Sequence, residues 1–219
     1  MTPRILVVAK APVPGLAKTR LGDRIGMPAA AEVAAAALLD TLAQCETAFA
    51  DDRHVAMTGD LSQAARGDEI EAALRGWDVR EQRGDGFAER LTHAHADIGP
   101  GPVVQIGMDT PQVTAALLLE AAGGLRDHDA VLGPAEDGGW WVLALRDPAD
   151  ADVLRAVPPS TPDTGALTLA ALRARGLDVA TATTLRDVDE VEDAVAVAAL
   201  APDGRFAAAW RAAHEAVVR

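Results

Sequence analysis

The chain has 219 residues and a formal net charge of −13 at pH 7, and 49% of its residues are hydrophobic. This length and composition indicate a globular α/β protein with one sizeable core. An acidic surface repels a phosphate backbone, so nucleic-acid binding is excluded as a general function, although a local basic pocket for one small polyanion is not.

The single cysteine, Cys45, lies in an alanine- and leucine-rich run that is typical of a helix. We therefore expect no disulfide and no thiolate metal site. No apolar run approaches the ~18 residues that span a bilayer, and no secretory leader precedes the first strand. We expect no membrane partner and a cytoplasmic location.

Strands and helices alternate along the chain. Residues 4–9 (RILVVA) form a continuous aliphatic run typical of a strand buried on both faces. A loop to about residue 27 separates this strand from a strong helix pattern over 28–49. Further strands are predicted at 53–59, 77–82, 102–107, 129–135, 140–146 and 178–183, and further helices at 60–75, 86–98, 111–123, 163–175, 190–200 and 203–218.

This alternation predicts a mostly parallel sheet covered by helices on both faces. The short link EDGG between 129–135 and 140–146 indicates that these two strands are antiparallel, which makes the sheet mixed. No repeat or linker divides the chain, so we expect one domain over 1–219. Ligands of such sheets bind beyond the carboxyl ends of the strands, which is where the polar motifs lie.

Both lysines of the protein, Lys10 and Lys18, occur in the stretch that follows the first strand. Gly15 and the prolines around it shape a loop whose backbone amides can face an anion, and Lys18 and Arg20 can reach phosphate oxygens. A solvated basic loop is the alternative. Keeping lysine in a chain that otherwise uses arginine favours a pocket that needs a compact charge, so we predict phosphate binding.

Aspartates follow two other strands. Asp109 comes two residues after the strand at 102–107, where one carboxylate could help to hold a divalent cation that is also bound by substrate phosphates. The alternative is that Asp109 or Thr110 caps a helix beginning at 111. Asp187 and Asp189 follow the last strand and are candidates for sharing the metal with Asp109.

The turn in GPAEDGGWWVLAL is a candidate substrate loop. Asp137 leads into Gly138 and Gly139, and a plain hairpin would need only one such glycine, so the turn is favoured as a ligand-lining loop. Trp140 and Trp141 must point to opposite faces of their strand, one to the core and one to the pocket or surface.

Three further features have a functional and a structural interpretation. Gly84 and Gly86 suit a loop whose backbone contacts a base or sugar, although a simple strand-to-helix connection explains them equally well. His93 and His95 are two residues apart on a predicted helix and should point in different directions, so a metal pair is not expected. The turn-rich segment 157–165 looks like a loop over a site.

Four segments occur together and in order: VVAKAPVPGLAKTRL, GMDTP, PAEDGGWWVLAL and LRDVDEVEDA. In this the chain resembles the DUF2064 family, labelled rSAM/selenodomain-associated transferase 1, of the GT-A (nucleotide-diphospho-sugar transferase) superfamily. The first segment is also similar to the K-T/S-R-L opening of 2-phospholactate or phosphoenolpyruvate guanylyltransferases. The resemblance implies a Rossmann-like α/β/α sandwich with one antiparallel strand and a nucleotide over the end of the first strand.

The resemblance also implies roles by position. Lys18 and Arg20 fall where relatives hold nucleoside phosphates, while Asp109 and Asp189 fall on the first and second metal aspartates. The nucleotide loop then comprises Lys10, Ala11, Pro12, Gly15, Lys18 and Arg20, with Gly84 and Gly86 beyond it; the acceptor side comprises Asp137, Gly138, Gly139 and Trp140. Departures are Glu190 in place of threonine in the usual D-x-D-T motif, a Trp-Trp pair after DGG, and no tryptophan in PPSTPDT.

The function that these features favour is a transferase dependent on Mg²⁺ or Mn²⁺. Catalytic roles fall to Lys18, Arg20 and Asp109, and the partners are a nucleotide and a small-molecule acceptor. We favour nucleotidyl transfer from a nucleoside triphosphate to a small phosphorylated acceptor, with release of pyrophosphate. A glycosyltransferase that uses a nucleotide-sugar is the first alternative, and a non-catalytic nucleotide sensor is the second. The base, the acceptor and the choice between monomer and homodimer stay open.

Overall fold

A seven-stranded sheet forms the centre of the protein in the computed structural model, which describes residues 2–218. The strands are β1 Arg4–Lys10, β2 Arg53–Thr58, β3 Asp78–Glu81, β4 Val103–Ile106, β5 Ala130–Pro134, β6 Trp140–Leu145 and β7 Val179–Thr181. Their spatial order is β3-β2-β1-β4-β6-β5-β7, and β6 is antiparallel to its neighbours β4 and β5 while the other pairs are parallel. This confirms a mostly parallel mixed sheet with one antiparallel strand.

The helices cover both faces of this sheet, as the sequence pattern predicts. They are α1 Thr19–Ile25, α2 Met27–Ala48, α3 Gly67–Ala73, α4 Phe87–Asp97, α5 Ala115–Gly124, α6 Thr164–Ala174, α7 Val191–Leu200 and α8 Arg205–Val218, with 3-10 helices at Leu61–Gln63 and Pro148–Ala156. Within residues 2–218 no helix combines the length and apolarity needed to cross a membrane.

The core consists of two layers because β1 is apolar on both faces. Ile5 and Val7 pack into a cluster with residues of α2, α3 and α5, whereas Leu6 and Val8 point to the other face and pack with α4, α6 and the 148–156 segment. Alternate side chains of a strand point to opposite faces, so one aliphatic run supplies both layers. α8 packs on the outer side of the alanine-rich α2, where small side chains permit close approach. The fold is a three-layer α/β/α sandwich.

Three local predictions were wrong. The single helix expected over 60–75 is divided into the 3-10 helix Leu61–Gln63 and α3 Gly67–Ala73. The loop expected up to residue 27 contains α1, which begins immediately after Lys18. The helix expected from residue 111 begins at Ala115, because the Thr114 hydroxyl caps it by accepting a hydrogen bond from the Leu117 amide. Neither Asp109 nor Thr110 therefore caps a helix, and the loop that contains them is free to shape the carboxyl edge of the sheet.

Candidate active site

Three chain segments meet at the carboxyl edge of the sheet. β1 ends at Lys10, the loop after β4 contains Asp109, and the segment after β7 contains Asp187 and Asp189. The Val188 amide donates a hydrogen bond to the Asp109 carbonyl oxygen (2.9 Å), which joins the second and third of these segments. Carboxylates distant in sequence are thus brought together at the edge where open α/β sheets bind ligands.

The Lys18 side chain lies between two of these carboxylates. Its Nζ is 2.7 Å from Asp109 Oδ1 and 2.8 Å from Asp189 Oδ1, and 9% of the side chain is exposed. Lys18 has a φ of 48°, in the left-handed region, which costs a residue other than glycine about 1–2 kcal/mol. The two ion pairs offset this cost, so the tertiary site, and not a local preference, maintains the conformation.

The charges in this cluster stabilise one another. Burial alone would lower the pKa of Lys18, but the charges of Asp109 and Asp189 outweigh it and raise the pKa above its ordinary value. Burial would raise the pKa of Asp189, but Lys18 and then Arg20 lower it below its usual range. Near neutral pH the cluster therefore holds the Lys18 ammonium against the ionised Asp189, with Asp109 Oδ1 2.7 Å from its Nζ.

Asp187 has the opposite behaviour. Burial first, and then the negative charges of Asp137 and Asp189, raise its pKa to about 6. Asp187 lines a cavity beside Asp137 and forms no ion pair with any residue in 2–216. The sequence left open whether Asp187 or Asp189 accompanies Asp109; the structure brings Asp189 and Asp109 to a common cation and leaves Asp187 outside that cluster.

Two more basic side chains, Arg20 and Lys10, lie beside the cluster of Lys18, Asp109 and Asp189. Arg20 Nη1 is 3.4 Å from Asp189 Oδ2, with 70% of the side chain exposed. Lys10 is exposed at the end of β1, where its backbone amide donates to Met108 Sδ, and its ammonium pairs with no carboxylate among the described side chains. Lys18 is thus fully engaged within the protein, whereas Lys10 and Arg20 can accept an anionic ligand.

A smaller cavity of about 230 Å³ opens beside these residues. Its walls carry all three basic residues of the predicted phosphate site, and it borders both carboxylates that hold Lys18. The lining residues are Lys10, Leu16, Ala17, Lys18, Thr19, Arg20, Met108, Asp109 and Asp189. The cavity has the charge and the position of a polyphosphate site at the carboxyl end of β1.

A larger cavity of about 340 Å³ adjoins the smaller one, and the two share Lys10, Met108 and Asp109. One side is formed by the ends of β2 and β3 and by α4, and includes Thr58, Gln82, Phe87 and Arg90. The opposite side is formed by the turn before β6 and by the 157–165 segment, and includes Asp137, Gly139, Trp140, Ser160, Thr161 and Thr164. The segment predicted to form a loop over a site does line this cavity.

The DGG turn is fastened to the 157–165 segment. Gly138 has a φ of 92°, and a Cβ at this position would lie 1.9 Å from the Pro162 carbonyl oxygen. The Gly165 amide donates to the Gly138 carbonyl oxygen (2.8 Å), and the Gly139 amide donates to Asp137 Oδ1 (2.7 Å). The turn therefore needs glycine for close packing against the neighbouring loop.

The two tryptophans that follow the turn point to opposite sides, as predicted. Trp140 is half-buried and lines the large cavity. Trp141 is buried in the core, and its indole Nε1 donates to the Thr183 carbonyl oxygen (2.8 Å). Both line the large cavity, but Trp140 is the more exposed of the pair.

Several candidates from the sequence lie behind the cavity walls and do not line them. Ala11 and Pro12 fasten the loop after β1: the Ala11 amide donates to the Thr58 carbonyl oxygen (2.8 Å), and the Pro12 carbonyl oxygen accepts from the Ala65 amide (3.0 Å). Gly15, Gly84 and Gly138 have positive φ, and Gly86 precedes α4. These residues determine the shape of the backbone around the cavities.

The histidines take no part in the site. His95 is fully buried beside Gln105, with Nε2 3.2 Å from Oε1, and burial lowers its pKa to about 4. His93 Nδ1 lies 2.9 Å from the Arg83 carbonyl oxygen on another side of α4. Their different orientations agree with the expectation that they form no metal pair.

Sequence reasoning missed the polar residues of β2, β3 and α4 that line the large cavity: Thr58, Gln82 and Arg90. Gln82 Nε2 donates to the carbonyl oxygens of Ala9 (2.8 Å) and Ala56 (2.9 Å), which ties together the carboxyl ends of three strands. Thr58 is the last residue of β2, and Gln82 immediately follows β3. Their positions at strand ends were the signal that could have identified them.

The donor set of the carboxylate cluster fits a divalent cation. Asp109 and Asp189 already hold one positive group in common, and carboxylate oxygens are ligands that Mg²⁺ and Mn²⁺ accept. Among residues 2–216, no group of three or more acidic, histidine or cysteine side chains is arranged to hold a metal without help. The fit is to an ion that takes its remaining ligands from water and substrate.

A model of one protein family matches residues 41–161; it is described as "Uncharacterized protein conserved in bacteria (DUF2064)". The chain belongs to the DUF2064 family. The match covers more than half of the chain and includes β2 to β6 with the DGG turn. No curated protein matches the sequence significantly.

The fold is shared with solved structures along its whole length. A protein from Desulfovibrio desulfuricans G20, described as a candidate nucleotide-diphospho-sugar transferase, has a TM-score of 0.84 and 27% identity over 100% of this chain and 98% of its own. A CMP:2-keto-3-deoxy-manno-octonic acid synthetase complexed with CTP has a TM-score of 0.58 and 15% identity over 92% of this chain and 99% of its own.

Rv0371c of Mycobacterium tuberculosis H37Rv, in complex with manganese, has a TM-score of 0.52 and 20% identity over 90% of this chain and 98% of its own. Together with the family match, these similarities show that the chain has the GT-A fold that the sequence resemblance implies.

Proposed function

We propose that this protein is a Mg²⁺- or Mn²⁺-dependent nucleotidyltransferase, which transfers the nucleotidyl group of a nucleoside triphosphate to a small acceptor and releases pyrophosphate. The observation that carries the proposal is the small basic cavity beside the larger one, with Lys10, Lys18 and Arg20 on its walls. A departing pyrophosphate carries several negative charges and needs such a site, whereas the larger cavity has room for the nucleoside and the acceptor.

Two similar folds support the proposal. The CMP:2-keto-3-deoxy-manno-octonic acid synthetase holds the nucleoside triphosphate CTP, and Rv0371c holds manganese. Both structures share with this chain the sheet at whose carboxyl edge Asp109 and Asp189 lie. A triphosphate and a divalent ion are therefore the ligands to test first.

In the proposed reaction an acceptor oxygen forms a bond to the α-phosphorus, and the bond from that phosphorus to the oxygen bridging to the β-phosphate breaks. Pyrophosphate leaves with the bonding electron pair, and a proton released from an acceptor hydroxyl passes to water. Asp109 and Asp189 would hold the divalent ion, which withdraws negative charge from the phosphates when bound. Lys10 and Arg20 would orient the β- and γ-phosphates, so that catalysis rests on positioning and on charge stabilisation.

The place of Lys18 implies that ligands bind to this site together. Its ammonium contacts both Asp109 and Asp189 and balances one of their two negative charges. A phosphate that attracts Lys18 leaves the carboxylates without their cation, which favours a divalent ion there. Nucleotide and metal should therefore each increase the affinity of the other.

Glycosyl transfer from a nucleotide-sugar is the second candidate, and it is favoured by the description of the Desulfovibrio desulfuricans G20 protein. Incubation with each nucleoside triphosphate, Mg²⁺ and an acceptor panel distinguishes the two reactions. Release of pyrophosphate supports nucleotidyl transfer, whereas release of nucleoside diphosphate from a UDP- or GDP-sugar supports glycosyl transfer. Nucleotide binding with neither release would indicate a sensor and would refute both.

A further inference from the structure

One side of the large cavity forms a distinct surface, which we call the acceptor wall. It consists of Asp137, Trp140, Leu154, Ser160, Thr161 and Thr164. These residues come from the turn before β6, the end of the 148–156 segment, the 157–165 segment and the start of α6. With the triphosphate in the smaller cavity and the nucleoside on the side formed by β2, β3 and α4, this wall would be the surface left for the acceptor.

No basic residue belongs to the acceptor wall. The cavity is lined by two basic side chains, Lys10 from the end of β1 and Arg90 from α4, and both lie on its other side. Arg186, which lies in the segment after β7, forms ion pairs with Glu136 (2.5 Å) and Asp193 (3.8 Å). The described part of this wall thus has no cation with which to bind a phosphate group.

The acceptor wall is instead acidic. Asp137 Oδ1 accepts from the Gly139 amide, and neither Asp137 nor the adjoining Asp187 forms an ion pair with any side chain in 2–216. The exposed Ser160 hydroxyl lies on the same wall. A phosphate placed here would be repelled by two carboxylates, whereas hydroxyl groups could donate to them.

The rest of the wall suits the body of a small ring-shaped or branched polyol. Trp140 offers part of an indole face, and Leu154 adds apolar surface beside it. The Thr164 hydroxyl donates to the Pro158 carbonyl oxygen (2.9 Å) and accepts from the Thr161 amide (3.0 Å), which holds this part of the loop in position. An apolar face opposite fixed polar groups is the usual composition of a small-molecule site.

We propose that the acceptor is a neutral polyhydroxylated molecule, a sugar or a polyol without a phosphate group, bound by Asp137 and the 157–165 segment with one face against Trp140. This inference rests on the proposed function, since it assigns the acceptor of that same site. It departs from the phosphorylated acceptor that the sequence alone favours. A hydroxyl acceptor gives a product with a single phosphorus atom between nucleoside and acceptor, whereas a phosphorylated acceptor gives a diphosphate.

The test uses matched pairs that differ only by a phosphate: glycerol and glycerol 3-phosphate, glucose and glucose 6-phosphate, and inositol and inositol 1-phosphate. Saturation-transfer NMR measures the binding of each compound to the full chain in the presence of Mg²⁺. We expect signals from neutral members, a loss of at least three-fold in Trp140→Ala and Asp137→Asn, and weaker signals from phosphorylated members. Asp127→Asn, at an exposed aspartate outside both cavities, is the matched control and should leave the signals unchanged.

Three results would overturn the inference: stronger binding of the phosphorylated members, no signal from any neutral member, or signals that neither wall variant reduces. Thermal-shift titration with the four nucleoside triphosphates is run in parallel on the same samples. It reports on the triphosphate site alone, because a ligand that binds the native state raises apparent stability. A failed nucleotide titration refutes the proposed function, whereas nucleotide binding with a preference for phosphorylated compounds refutes the acceptor inference.

Discussion

Replacing Lys18 by methionine should increase the affinity of the nucleotide-free protein for Mn²⁺. The Lys18 ammonium lies 2.7 and 2.8 Å from the two carboxylates that would hold the ion, and these side chains are 44% and 40% exposed. At such distances a single ion pair is worth about 1.5 kcal/mol in bulk water and about 6 kcal/mol at a surface-like effective dielectric constant. Because the carboxylates are partly exposed and the side chains lose entropy when they pair, the free energy by which Lys18 opposes Mn²⁺ binding lies near the lower of these values, at about 2 kcal/mol.

A competition of about 2 kcal/mol corresponds to a factor of about 30 in the dissociation constant. Titration of free Mn²⁺ by electron paramagnetic resonance measures this constant without any turnover. Lys10→Met is the matched control, because Lys10 is the other lysine of the chain and pairs with no described carboxylate. Unchanged or weaker Mn²⁺ binding in Lys18→Met, or an equal gain in Lys10→Met, would refute the argument that Lys18 competes for the carboxylates.

Three further predictions concern stability. Gly138→Ala should lower the free energy of unfolding by about 2–4 kcal/mol, since its Cβ would meet the Pro162 carbonyl oxygen at 1.9 Å. Its melting temperature should fall further than that of Gly99→Ala, because Gly99 also has a positive φ but has nothing within 4 Å of the position that a Cβ would take. The pKa of Asp187 is raised to about 6, so ionisation of this side chain destabilises the fold as the pH rises from about 4 to 6. In chelator-treated protein, the free energy of unfolding of Asp187→Asn should therefore exceed that of wild type by about 1 kcal/mol at pH 7, allowing for solvent screening, and should equal it at pH 4. His95 has its pKa lowered to about 4, so stability should fall as pH decreases from about 6.5 to 4; a His95→Gln variant that retains the same pH slope in urea titrations would contradict this assignment.

Much of the fold could be predicted because its signals are local. The aliphatic run of β1 and the alternation of strands with helices depend on neighbouring residues, and each strand appears within a few residues of its predicted position. α1 was missed because TRLGDRI is short, polar and contains glycine, and its start depends on the left-handed conformation of Lys18. The start of α5 was misplaced because several residues could cap it, and the loop geometry selects Thr114.

The site could be predicted in its composition but not in its contacts. Lys18, Arg20, Asp109 and Asp189 were identified as charged residues at strand ends, and the structure brings them together. Lys18 forms ion pairs with both Asp109 and Asp189, and these contacts could not be predicted because the three segments are distant in the chain and meet only in the folded state. Gly138 was expected to face a ligand because a glycine motif does not reveal its tertiary neighbour, which is the Pro162 carbonyl group.

The most direct test of the proposed function is pyrophosphate release from a nucleoside triphosphate in the presence of Mg²⁺ and a neutral polyol panel. We expect release by wild type and by Asp127→Asn, and a loss of at least 100-fold, about 2.7 kcal/mol, in Asp109→Asn, which retains the Asp189 contact of Lys18 but removes one carboxylate. Release that persists unchanged in Asp109→Asn, or nucleoside diphosphate released from a nucleotide-sugar in place of pyrophosphate, would contradict the proposed function.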